Sequence, residues 1–242
     1  MKKLFIITDI LRNLNYLSEI LPFFFCILFL KKINNKETKV FFVYIIIAIL
    51  FFIISFIASK APTVKYSIIS ISIFLVLEFI TISILYFFIL RNDKLKKLIL
   101  VFIFLFTVLW LFNFVNSNLK VFDFTPVVIE CLFFTMLIIY YFYEIMRYNF
   151  DTPLFQLPSF WISVGFLMYF SGNFFLFLFS KIKFNEPGFN NQYLVIVSII
   201  TILKNILLIT AIFVNKNLTH TKSNSSIPSD LNLDIFHSLK NH

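Results

Sequence analysis

Residues 40–58 read VFFVYIIIAILFFIISFIA, an apolar run without one charged side chain. It is closed on one side by KKINNKETK (31–39) and on the other by SKAPTVK (59–65). A helix crosses the hydrocarbon layer in roughly 20 residues. In lipid a segment must satisfy every backbone amide and carbonyl within itself, so a run of this length and composition predicts a membrane-spanning helix. Six further runs of the same kind fall at Leu14–Leu30, Tyr66–Leu90, Leu98–Val115, Thr125–Arg147, Ser159–Ser180 and Gln192–Val214. The gaps between them are short and polar: RNDKLKK, NSNLKVFDF, YNFDTPLFQLP and KIKFNEPGFNN. The expected fold class is therefore all-α, a polytopic membrane protein with seven transmembrane helices.

The whole composition agrees with this reading. Of the 242 residues, 60% are hydrophobic and 14% charged, and the mean hydropathy is +0.92. A soluble domain of this size cannot hide that much apolar surface. A sizeable soluble enzyme is excluded, and so is a nucleic-acid-binding domain, despite a net charge of +9. The 37 Phe fill lipid-facing and interhelical space as well as Leu does, and the joint excess of Phe, Ile, Lys and Asn matches a codon-usage bias. Only three Gly are present, which counts against a transporter built on broken helices and close small-residue packing. Cys26 and Cys131 lie in apolar runs outside any CxxC or Cys/His spacing, so neither a disulfide framework nor a zinc site is expected. The three His (His220, His237, His242) fall near the C-terminus, away from the apolar runs. No metal and no cofactor is expected.

Three segments follow. Residues 1–13 (MKKLFIITDILRN) read as a short amphipathic N-terminal segment; LFII is too short for the apolar core of a signal peptide, and no small-residue cleavage site follows. Residues 14–214 form the seven-helix transmembrane domain. Residues 215–242 read as a polar, disordered tail with a weak helical pattern in DLNLDIFHSL. The loops KKINNKETK and RNDKLKK hold the densest clusters of Lys and Arg, which are retained on the cytoplasmic side. That places the N-terminus outside and the C-terminus and tail in the cytoplasm of a multi-pass protein of the cell (inner) membrane.

Ionisable groups inside such spans cost a few kcal/mol each, so each is a candidate functional residue. Glu19, Glu78, Glu130 and Lys204 lie in spans one, three, five and seven, which share one direction. Each precedes a basic residue near the cytoplasmic end of its helix (Lys31, Arg91, Arg147 and Lys216) by roughly 12 to 17 residues, about 18 to 26 Å at the helical rise. All four are therefore expected at overlapping depths. Span six runs the other way and brings Tyr169 and Asn173, four residues apart on one face, into the same layer. Ser171 and Gly172 beside them would let a neighbouring helix come close. The candidate ligand or proton pocket is thus Glu19, Glu78, Glu130, Tyr169, Asn173 and Lys204. The competing reading is structural: Glu78 or Glu130 neutralises Lys204, and Glu19 reaches the outer interface. Glu144, a turn before Arg147, is expected to pair with it at the cytoplasmic edge.

Two resemblances bear on function. The stretch PSFWISVGFLMYFSGNFF after IIYYFYEIMR resembles a segment of small seven-span bacterial membrane proteins of unknown function, which are similar to membrane sensor regions found with histidine kinases. The resemblance covers mainly spans five and six. It implies a receptor-like or sensory component that works through a separate cytoplasmic partner, and it transfers no catalytic residue. Lys204 in span seven opposite Glu78 in span three also resembles the Schiff-base lysine and counter-ion of rhodopsins. Here the acid expected a turn before the lysine is replaced by Ile200, FLMYFSG lacks the helix-six proline, and span three has no Arg. Retinal binding is not expected. The function expected is signalling rather than catalysis, with a small proton-coupled transporter or a structural subunit of a membrane complex as alternatives. No nucleophile–base pair or phosphate-binding loop accompanies the carboxylates, and nothing in the chain specifies an oligomeric state.

Overall fold

A computed structural model of the chain describes residues 2–29, 35–58, 64–116, 123–147, 153–183 and 189–224. All regular structure among them is helical. The elements are α1 (Lys2–Leu28), α2 (Lys36–Ala58), α3 (Val64–Ile89), α4 (Asp93–Asn116), α5 (Thr125–Arg147), α6 (Pro158–Lys183) and α7 (Phe189–Asn224), with one 3-10 turn at Leu154–Gln156 before α6. Six of the seven helices, α2 to α7, are long and apolar enough to cross a membrane. The first falls short: its apolar stretch is Asn13–Leu28.

Two boundaries differ from the sequence expectation. The proposed amphipathic segment 1–13 and the first span are one helix, α1, because nothing between Lys2 and Pro22 breaks the helical pattern. Pro22 is accommodated inside α1, where it removes the amide that would bond to the Ser18 carbonyl. At the other end α7 continues to Asn224, so the first ten residues (215–224) of the expected disordered tail are helical. The rest of that tail, 225–242, and the loop lysines at 31 and 32 lie outside the described residues.

The helices that follow one another in sequence pack side by side, and α7 returns to α1. The short polar connections dictate this order, because a gap of a few residues can join only adjacent helix ends. The α6–α7, α1–α7 and α2–α3 seams are the most extensive. On α6, a Cβ added at Gly165 would lie 3.3 Å from the Leu207 Cβ and 3.4 Å from the Lys204 carbonyl oxygen, and one at Gly172 would lie 2.8 Å from Ile200 Cδ1. Both glycines thus face α7 and set its distance. Of the six helices long enough to span, α3 is the most enclosed and α4 the least. The core is aromatic: Phe79 of α3 stacks on Phe106 of α4 at 3.8 Å between centroids, and also packs on Phe133 and Phe134 of α5. Phe134 continues to Phe170 of α6, and Phe166 meets Tyr44 of α2 edge-on.

The outer surface is apolar too. Leu50, Ile54 and Ile57 on α2, and Phe104, Val108 and Phe112 on α4, are exposed. Water would not tolerate such continuous patches, whereas acyl chains match them. The helix ends carry the polar work. Pro158 opens α6, where a missing amide costs nothing, and the Trp161 indole N–H closes onto the Phe155 carbonyl at 2.8 Å. Asp123 caps α5 by accepting the Thr125 N–H at 3.0 Å and its hydroxyl at 2.7 Å.

Glu144 corrects the sequence reading. It is buried, and its hydrogen-bond partners are backbone amides instead of the Arg147 side chain. Its two carboxylate oxygens accept the backbone N–H groups of Arg91 and Asn92, each at 3.1 Å. Those amides belong to the α3–α4 turn, and orphan amides at a helix start form a ready anion site. The Asn92 side chain completes the junction, accepting the Lys94 N–H at 3.0 Å and donating to the Tyr140 hydroxyl at 2.9 Å. Glu144 of α5 is thus the acceptor that fixes the start of α4.

Candidate functional site

The polar residues of the bundle interior meet near the middle of the helices. Lys204 on α7, Tyr44 on α2 and Glu78 on α3 are 4%, 1% and 3% exposed. Buried ionisable groups of this kind are tolerated only with partners. Lys204 Nζ donates to the Tyr44 hydroxyl at 3.3 Å, and that hydroxyl donates to Glu78 Oε1 at 3.2 Å. The ammonium and the carboxylate are therefore joined through a phenol. The Lys204 ammonium also lies over the Tyr169 ring of α6, 4.6 Å from its centroid, and 5.8 Å from that of Tyr44. Aromatic faces stabilise a cation where water is scarce. One buried cation thereby contacts α2 and α6 directly and α3 through Tyr44.

Two cavities flank this link. The smaller, about 210 Å³, is lined by Glu19, Asn15 and Tyr16 of α1, Ser55 of α2, and Lys204 and Thr201 of α7. The larger, about 400 Å³, is mostly apolar and aromatic, with Glu78, Glu130 and Cys131 in its wall. Phe51, Phe74 and Tyr169 line both. Phe51 and Phe74 stack at 3.9 Å between centroids, so an aromatic pair stands between the two spaces.

Five of the six residues singled out from sequence line these cavities: Glu19 and Lys204 the smaller, Glu78 and Glu130 the larger, Tyr169 both. The sixth, Asn173, is buried but lines neither, and its Oδ1 has no hydrogen-bond partner. Glu130 is 1% exposed, and its Oε1 is likewise without a partner. Glu19 is half-buried and shares the smaller cavity with Lys204.

Sequence reasoning passed over Tyr44, the centre of the link, because a tyrosine in an apolar run resembles filler. Two buried asparagine and serine partners were passed over as well. Asn205 donates its amide to the Ser18 hydroxyl at 3.1 Å, and Ser18 donates to the Asn15 carbonyl at 2.8 Å. This junction ties α7 to α1 one residue from Lys204. Nearer the 3-10 turn, the Tyr86 hydroxyl bonds to Ser163 at 2.9 Å and that of Tyr141 to Ser159 at 3.0 Å, joining α3 and α5 to α6. A signal for all of these was present: polar side chains inside runs otherwise made of Ile, Leu and Phe.

Cys26 and Cys131 are both buried free thiols. Compared with known proteins, the chain matches no protein-family model, no curated protein and no solved structure.

Proposed function

We propose that this chain is a receptor-like or sensory protein of the cell (inner) membrane that acts through a separate cytoplasmic partner. In this reading seven helices cross the bilayer, with the N-terminus outside and the C-terminus in the cytoplasm. The Lys-rich loops support that orientation. The observation that carries the reading is the Lys204–Tyr44–Glu78 link set between two cavities. A single phenol holds three helices in register, so occupancy beside it changes which helix contacts are favourable. A ligand or a proton can bias two arrangements only through such differential contacts.

The test is purification of the tagged full chain from its native membrane. A cytoplasmic protein in fixed stoichiometry with the chain supports the reading, provided that Lys204→Ala or Glu78→Gln alters its retention or its activity. If both substitutions leave the partner, its activity and the stability of the chain unchanged, the reading is wrong. The alternative is a small proton-coupled transporter, favoured by two cavities that meet at the Phe51–Phe74 pair. Uptake into proteoliposomes driven by a pH gradient would select it.

A further inference from the structure

We propose that the larger cavity binds a hydrophobic organic monocation, an amine carried on an apolar or aromatic body, with Glu130 meeting the charge. The inference rests on the receptor reading and names the chemistry of its ligand.

Charge balance leads to it first. Glu78 is joined to Lys204 through Tyr44. Glu130 lines the same cavity and has a buried carboxylate oxygen without a partner, and among the described residues no Lys or Arg lines that cavity. A carboxylate enclosed in low dielectric is stable as an anion only beside a cation. Among the described lining residues one carboxylate, Glu130, is left without a cation, which suits a monocation.

The walls decide what kind of cation. A hard metal ion is held by a cluster of oxygen ligands, and among the described residues no group of three or more His, Cys, Asp or Glu side chains could hold one; this cavity supplies two carboxylates and two phenols among apolar side chains. The aromatic rings, Phe74, Phe124, Phe170 and Phe177 among them, suit an organic cation, both as apolar contact and through their negative faces. An anion would face two carboxylates. A neutral apolar ligand would leave Glu130 as it stands. The volume of about 400 Å³ falls among cavities that hold small organic molecules.

The experiment uses the full chain in lipid nanodiscs and three probes matched in size: 4-phenylbutylamine, 4-phenylbutanol and 4-phenylbutyrate. Binding is read by equilibrium dialysis, with empty nanodiscs subtracted to remove partitioning into lipid. The amine is expected to bind saturably, about tenfold or more tighter than the alcohol or the acid. Glu130→Gln is expected to abolish that preference and leave the alcohol's affinity unchanged. If the alcohol matches the amine, if Glu130→Gln keeps the amine's advantage, or if no probe binds above empty nanodiscs, the inference is overturned. Should Glu130→Gln fail to fold, discrimination among the probes by the unaltered protein decides alone. None of these outcomes touches the receptor reading, which stands or falls on the partner and on Lys204 and Glu78.

Discussion

At the scale of single residues, the interior is governed by the cost of burying charge. Lys204, Tyr44 and Glu78 form a chain of donors and acceptors with one phenol at its centre. Tyr44→Phe keeps the ring against Phe166 and removes the hydroxyl. It is expected to destabilise the bundle by about 1–3 kcal/mol, the penalty of leaving buried polar groups unpaired. Reversible unfolding in mixed micelles reads this, and an unchanged midpoint would mean the hydroxyl contributes nothing. Glu144 gives a second prediction. Glu144→Gln replaces one acceptor oxygen by a donor and confronts one of the two amides at Arg91 and Asn92. Hydrogen exchange at those two amides is expected to accelerate while the middle of α3 keeps its protection. Equal exchange in both proteins would contradict the capping role.

The residue scale also shows how much was legible beforehand. Glu19, Glu78, Glu130 and Lys204 stood out because a charge in an apolar run is costly, and counting helical rise set them in one layer. The structure brings all four to two adjoining cavities. Tyr44 was not legible, since ten Tyr are present and nothing local distinguishes the one that meets Glu78. Glu144 was misread because its partners are backbone amides of a turn some 52 residues away, which no side-chain pattern announces. Asn173 lines neither cavity, because the side of α6 on which the cavities open depends on the rotation of the packed helix.

At the scale of elements, the seam between α6 and α7 positions Lys204. Gly165 and Gly172 let the two helices approach, and they differ in what opposes them. Gly172 faces the tip of Ile200, which can rotate away, whereas Gly165 faces the Leu207 Cβ and a backbone oxygen, which cannot. Gly165→Ala is therefore expected to cost about 1–3 kcal/mol through overpacking, and Gly172→Ala less. Thermal unfolding of the two variants side by side checks the order, and the reverse order would show that the seam is not set at Gly165. The spans were readable from apolar runs between short polar gaps. The joining of residues 2–28 into one helix was less so, because a polar amphipathic stretch and an apolar one share the same 3.6-residue period.

At the scale of the molecule, the order of packing follows from short connections, and the apolar outer surface calls for lipid. The orientation can be tested with single cysteines in a chain whose Cys26 and Cys131 are buried and replaced by Ser. Lys94→Cys, in the first turn of α4, is expected to resist a membrane-impermeant maleimide in intact cells, and Asn116→Cys, at the other end of α4, to react. The opposite pattern would invert the topology. The central claim is that Glu78 and Lys204 act as one unit through Tyr44, and a double-mutant cycle measures it most directly. Unfolding free energies of Glu78→Gln, Lys204→Met and the double variant are compared in the same micelles. The account expects a coupling of about 1 kcal/mol or more, with the double variant less destabilised than the sum of the singles. Strict additivity would contradict it.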